Sequence, residues 1–193
     1  RYDRSRETRT VGVDLRQQMD AFFDDDLWML SRGASVQRVK LYAPGIRPNQ
    51  KVALSETLHR VVREQLIPRY RKRVDEDDHC ANIEIMIKLA GEEFGAILHG
   101  GRYRYSSAQK LLNLYLKYQW CLGRVAEPPH CPVDRIVLSM TNRKNKANWI
   151  EIDSRREYMQ LIEAIRDQAD RDGLSIAEWE MTKYRRRQTR YPA

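Results

Sequence analysis

Apolar residues recur along most of this chain at steps of three and four, the spacing of one helix face rather than the alternation of a strand. Between Asp14 and about Leu30 the stripe is Leu15, Met19, Phe22, Phe23, Leu27 and Leu30, with Asp14 as its expected cap. A second helix is expected from about Asn49 to Arg73, interrupted near Pro68, with Val52, Leu54, Leu58, Val61, Val62 and Leu66 inside. Asp75-Glu76-Asp77-Asp78 opens a third, where negative charge meets the positive end of the helix dipole. Its stripe runs through Ile83, Ile85, Met86, Leu89, Phe94, Ile97 and Leu98. Asp153-Ser154 caps a helix to about Arg171, and a last one runs from Ser175 to about Tyr184. Two places break the pattern: Val36–Tyr42 alternates, and Trp149-Ile150-Glu151-Ile152 reads as extended. The expected fold is mainly α, a single compact helical domain over 14–193 behind a flexible basic arm, 1–13.

One helix differs from the rest. Starting near Ser106, it carries Leu111, Leu112, Leu114, Tyr115, Leu116, Tyr118, Trp120 and Leu122, apolar nearly all round, which marks a central, buried helix. Ser106 or Ser107 is its expected N-cap. Ahead of it lies Gly100-Gly101-Arg102-Tyr103-Arg104, a basic glycine turn, and beyond it a proline-rich connector ending in Pro132-Val133-Asp134 before Ile136-Val137-Leu138.

Composition narrows the partners. The chain has 193 residues, enough for one substantial core. Its 35 basic against 27 acidic residues give a net charge of +8, which favours a polyanionic partner, most often nucleic acid. Three cysteines without paired spacing point to a reducing, cytoplasmic setting. No apolar run approaches the ~18 residues that span a bilayer, so no membrane role is expected. Asp24-Asp25-Asp26 cannot share a helix face and reads as a solvated acidic face. His79-Cys80, Cys121 and His130-Cys131 match no usual zinc spacing, and neither metal nor cofactor is expected.

Lys110 and Asp134 carry the candidate chemistry. Lys110 is expected in the first turn of the central helix, where the dipole and nearby arginines disfavour an ammonium, the setting that amine nucleophiles require. Asp134, 24 residues on, is expected to cap the next helix and to stay ionised while facing whatever lies over that helix end.

Ser107-Ala108-Gln109-Lys110 followed by Pro132-Val133-Asp134-Arg135-Ile136-Val137 resembles the helix–hairpin–helix DNA glycosylases, nearest to their archaeal 8-oxoguanine branch. The resemblance covers roughly residues 95–141. The family's Leu-Pro-Gly-Val-Gly hairpin is replaced here by Gly-Gly-Arg-Tyr-Arg-Tyr-Ser-Ser. The resemblance implies a glycosylase-like fold, base flipping and catalysis by Lys110 and Asp134. DNA contacts are expected from Gly100, Gly101, Arg102, Arg104, Ser106, Ser107 and Gln109, joined by Arg143, Lys144 and Lys146 of a later basic loop. Tyr103, Tyr105, Trp120 and Trp28 are the candidates to stack on the flipped base. A damaged base and an enzymatically modified one, such as some phages carry, are both open as substrates, and the chain is expected to act as a monomer. Two further readings stand beside this one. The first is a non-catalytic nucleic-acid-binding helical protein; the second is a helical partner-binding protein of a defence or regulatory system.

Overall fold

The computed structural model describes residues 7–143 and 148–184, with side chains of the first helix from residue 15 onward. Among the described residues seven α-helices follow one another: α1 Glu7–Val36, α2 Pro48–Val61, α3 Glu76–Phe94, α4 Tyr105–Cys121, α5 Arg135–Ser139, α6 Arg155–Arg171 and α7 Ile176–Lys183. The described residues form no strand, only a single bridge between Tyr42 and Leu98. The fold is therefore mainly α, and none of the described helices is long and apolar enough to cross a membrane.

Local chemistry accounts for most helix ends. Asp75 accepts from the Asp78 amide at 2.8 Å, Ser154 caps α6, and Ser175 with Glu178 forms a capping box on α7. The second helix breaks where expected. After Val61 it widens into a π turn over Val62–Leu66 and tightens into a 3-10 turn over Ile67–Arg71, because Pro68 has no amide to continue the ladder. Other elements differ from expectation. α1 begins at Glu7, not at Asp14, which draws residues 7–13 of the expected arm into the helix. Trp149–Glu151 is a 3-10 turn rather than an extended segment.

α4 is the central helix, packed against α1, α3 and α6. Ala108, Leu112, Tyr115 and Leu116 are fully buried in it. Its N-cap is Arg104, two residues before the expected serine, and Ser106 spends its hydroxyl and amide on the Ile150 and Ile152 carbonyls.

α1 meets α4 through an unexpected face. Trp28, Ser31 and Ser35 are buried, while Leu15, Met19, Phe22, Phe23 and Leu30 of the anticipated stripe are exposed. Asp24 corrects the picture of a uniformly solvated acidic cluster. Its carboxylate accepts from Tyr115 Oη at 2.5 Å and Gln119 Nε2 at 2.8 Å, and lies 3.2 Å from His59 Nε2, while Asp25 and Asp26 stay exposed. Burial works against the charge on Asp24, but the bonds from His59, Tyr115 and Gln119 outweigh it and hold the carboxyl below its usual range.

A second polar cluster lies between α3, α4 and α6. His79 and His130 meet edge to face at 4.8 Å. Tyr70 Oη is 2.7 Å from His79 Nδ1, and Tyr158 Oη is 2.9 Å from His130 Nδ1. Both imidazoles are held below their ordinary range. Burial is the main cause; for His79 the neighbouring His130 adds to it, and for His130 the carboxylate of Glu76 opposes it.

Two outcomes follow for stability. The unfolded chain protonates these histidines near pH 6.5 and the folded chain only at lower pH. Stability is thus complete above about pH 6.5 and falls below it by up to ~1.4 kcal/mol per histidine per pH unit. Melting temperatures recorded across that range should drop, and His130→Gln should flatten the slope. Asp24→Ala strands the buried donors of Tyr115 and Gln119 and should cost about 2–4 kcal/mol in denaturant unfolding, whereas Asp25→Ala should stay within ~0.5 kcal/mol.

Candidate functional site

Lys110 and Asp134 come together. Lys110 Nζ lies 3.3 Å from Asp134 Oδ2, with the two side chains only 11% and 13% exposed. Asp134 caps α5, its Oδ1 accepting from the amides of Ile136 at 2.8 Å and Val137 at 3.1 Å. One carboxylate oxygen is thus held by α5, and the other is turned to the lysine. Lys110 stands in the second turn of α4 rather than the first, because the helix starts at Tyr105. The helix dipole acts on it less than in the first turn, and the immediate electrostatic neighbour of the ammonium is Asp134. The indole of Trp149 lies beneath it, 4.3 Å from Nζ to the ring centre.

Gln109 sets this geometry. Its Nε2 donates to the Val133 carbonyl at 2.9 Å and to the Ser106 carbonyl at 3.1 Å, while its Oε1 accepts from the Val133 amide at 3.1 Å. A side-chain amide thereby clamps both backbone groups of the residue preceding Asp134. Gln109 is fully buried, as are Ser106 and Ser107, so none of the three presents a surface to DNA as expected.

The pair opens into a cavity of about 640 Å³ between α1, α4, α5 and α7. Leu114, Lys117 and Tyr118 continue its α4 wall, and exposed Arg38 and Arg135 also line it. A second ion pair stands in the same wall. Lys117 Nζ is 2.5 Å from Glu180 Oε2, and the glutamate side chain is 3% exposed. Burial pushes the Glu180 carboxyl up, Lys117 opposes this, and the nearby Asp134 adds to it. Glu180 and Trp149 are the residues that sequence reasoning missed. A Lys110–Leu114–Lys117 spacing on one face of α4 was the available signal for the second lysine; nothing local marked its partner, 63 residues on.

The expected base-stacking aromatics lie elsewhere. Trp28 is buried against His59, with ring centres 4.6 Å apart, and donates to Ser55 Oγ. Tyr103 is 3% exposed, and Tyr105 is buried against Tyr158. Trp120 is half-buried outside this cavity. The cavity's aromatic residues are Trp149, Tyr118 and Tyr184. Gly100 and Gly101 do turn through left-handed backbone, φ 68° and 74°, and are exposed with Arg102. The Arg102 guanidinium is 2.5 Å from Asp153, and this turn does not line the cavity. Arg143 is exposed; Lys144 and Lys146 lie outside the described residues. Cys131 offers no nucleophile, since burial holds its thiol well above the usual range.

Comparison with protein-family models, curated proteins and solved structures finds no match to this chain. The site therefore rests on its own geometry. Replacing Gln109 by Ala frees the Val133 amide and carbonyl inside the core, and should lower unfolding free energy by about 2–3 kcal/mol in a denaturant titration.

Proposed function

We propose that the chain is a DNA glycosylase that excises a damaged or enzymatically modified base, with Lys110 and Asp134 at its reacting centre. The observation that carries this reading is the 3.3 Å contact of the two groups at the wall of a ~640 Å³ cavity. An amine and a carboxylate from different helices, one of them fixed by capping, are the parts that nucleophilic cleavage of an N-glycosidic bond requires. The net charge of +8 supports a polyanionic substrate.

The target nucleotide leaves the stack and enters the cavity. As the bond between C1′ and the base nitrogen breaks, its electron pair leaves with the base, which takes a proton from water. The Asp134 carboxylate stabilises the positive charge developing on the sugar. Asp134 accepts one proton from the Lys110 ammonium, freeing the Nζ electron pair to bond C1′, and a second N–H proton passes to O4′ as the C1′–O4′ bond breaks. The sugar ring opens to a Schiff base on Lys110, from which strand cleavage by elimination is available. With water in place of Lys110 as nucleophile, the same carboxylate serves a monofunctional enzyme.

Borohydride trapping on duplexes containing a single oxidised purine or enzymatically modified pyrimidine tests this. The expected result is an abasic product and a covalent protein–DNA species that Lys110→Ala abolishes. Asp134→Asn should slow excision by about 10²–10⁴-fold. Undiminished excision by both variants overturns the assignment. Salt-sensitive DNA binding without any abasic product would instead mark a binding protein.

A further inference from the structure

The face of α1 that turns away from the core carries Leu15, Met19, Phe22, Phe23, Met29 and Leu30, each 52–63% exposed. At 3.6 residues per turn these six fall within an arc of roughly 120°, opposite buried Trp28, Ser31 and Ser35. Together they offer on the order of 600 Å² of side-chain surface. That is the size of the largest apolar patch on a typical monomer and most of the ~800 Å² per partner that a stable interface buries.

The spacing identifies the occupant. About the midpoint between Phe22 and Phe23, Leu15 mirrors Leu30 and Phe22 mirrors Phe23. An antiparallel second copy therefore sets leucine against leucine and phenylalanine against phenylalanine, the self-complementarity that a two-fold interface demands. Asp26, in the middle of the stripe, mirrors Met19 and is the one charge placed among these residues. The same pairing supplies its counter-charge. Arg16 mirrors Met29, so Arg16 of one copy comes level with a point three residues from Asp26 of the other, roughly 4.5 Å along the axis and within reach of an arginine. Arg16 and Asp26 are both exposed, and neither has a hydrogen bond or ion pair among the described residues.

We propose that this face is a homodimer interface, an antiparallel pairing of α1 with α1 of a second copy, centred on Phe22 and Phe23 and closed by two symmetric Arg16–Asp26 ion pairs. It replaces the expected monomer. Leu30 also lines the large cavity, so Leu15 of the second copy comes to the cavity's edge.

Sedimentation of the full chain over a wide concentration range tests the proposal. The wild type should show a reversible monomer–dimer equilibrium. F22D/F23D should be monomeric where the wild type is dimeric, and should melt with the wild type at concentrations where both are monomeric, because both side chains are exposed. D26R sets two arginines against each other at each end and should weaken association about tenfold, and the swap R16D/D26R should recover most of that loss. The charge variants alter only surface groups and decide the matter even should F22D/F23D fail to fold. A wild type monomeric at every concentration overturns the proposal. So does a dimer that survives F22D/F23D, a swap that restores nothing, or a monomer that uses this face to bind lipid vesicles.

Discussion

On a helix buried on nearly every side most polar side chains need a partner, since an unpaired buried polar group costs about 1–3 kcal/mol, and the Ser107 hydroxyl is an exception among the described residues. α4 carries many polar side chains, and their partners radiate to the rest of the fold. Gln109 holds Val133, Lys110 holds Asp134, Asn113 donates to Tyr158, Lys117 holds Glu180, and Tyr115 with Gln119 holds Asp24. These partners belong to the connector after α4, the α5 cap, α6, α7 and α1 in turn. Hydrophobic burial gathers the helices around α4 without direction. The polar pins fix how each one is turned.

The candidate site is a by-product of that arrangement. Lys110 and Lys117, seven residues apart, sit on the same face of α4 about two turns from each other. Each is met by a carboxylate from a different helix, and the gap between those helices is the cavity. Removing a carboxylate would leave an ammonium with little solvent and no counter-charge, so the two helix ends that border the cavity are tied to α4 electrostatically as well as by packing.

How much of this was legible in the sequence depended on whether the signal was local. Caps at Asp75, Ser154, Ser175 and Asp134 are set by a side chain and amides two or three residues away, so these helix starts were readable, Ser154 and Asp134 as caps. The central position of α4 followed from its apolar content, and the pairing of Lys110 with Asp134 was implied by the resemblance, although Lys110 stands in the second turn of α4 and not at its start. The orientation of α1 was not. Periodicity reveals that Leu15, Met19 and Phe22 share a face, but whether that face meets the core depends on Tyr115 and Gln119, about ninety residues away, drawing Asp24 inward. The aromatic assignments failed for the same reason. Tyr103 and Tyr105 are near Lys110 along the chain but buried away from it, whereas Trp149 reaches Lys110 through a turn whose carbonyls are bound by Ser106. Nothing in the neighbours of Gln109 reveals that Val133 needs both of its backbone groups satisfied, and so the expectation of a surface contact fails.

The cavity's charge also bears on what it can admit. Within its wall, two ammonium groups are matched by two carboxylates, so the interior is balanced despite a chain of net charge +8. Beside those two ion pairs a phosphate would lose its hydration to meet ammonium groups that are already paired. The cavity is a good place for a flat, neutral group, whose faces meet Trp149 or a tyrosine and whose edges meet polar atoms. The positive charge of the lining that no carboxylate among the described residues meets is that of Arg38 and Arg135, both exposed. Under the glycosylase reading the two requirements separate cleanly. Under that reading the phosphates would meet the exposed arginines, and the flipped base with its sugar would reach Lys110 and Asp134.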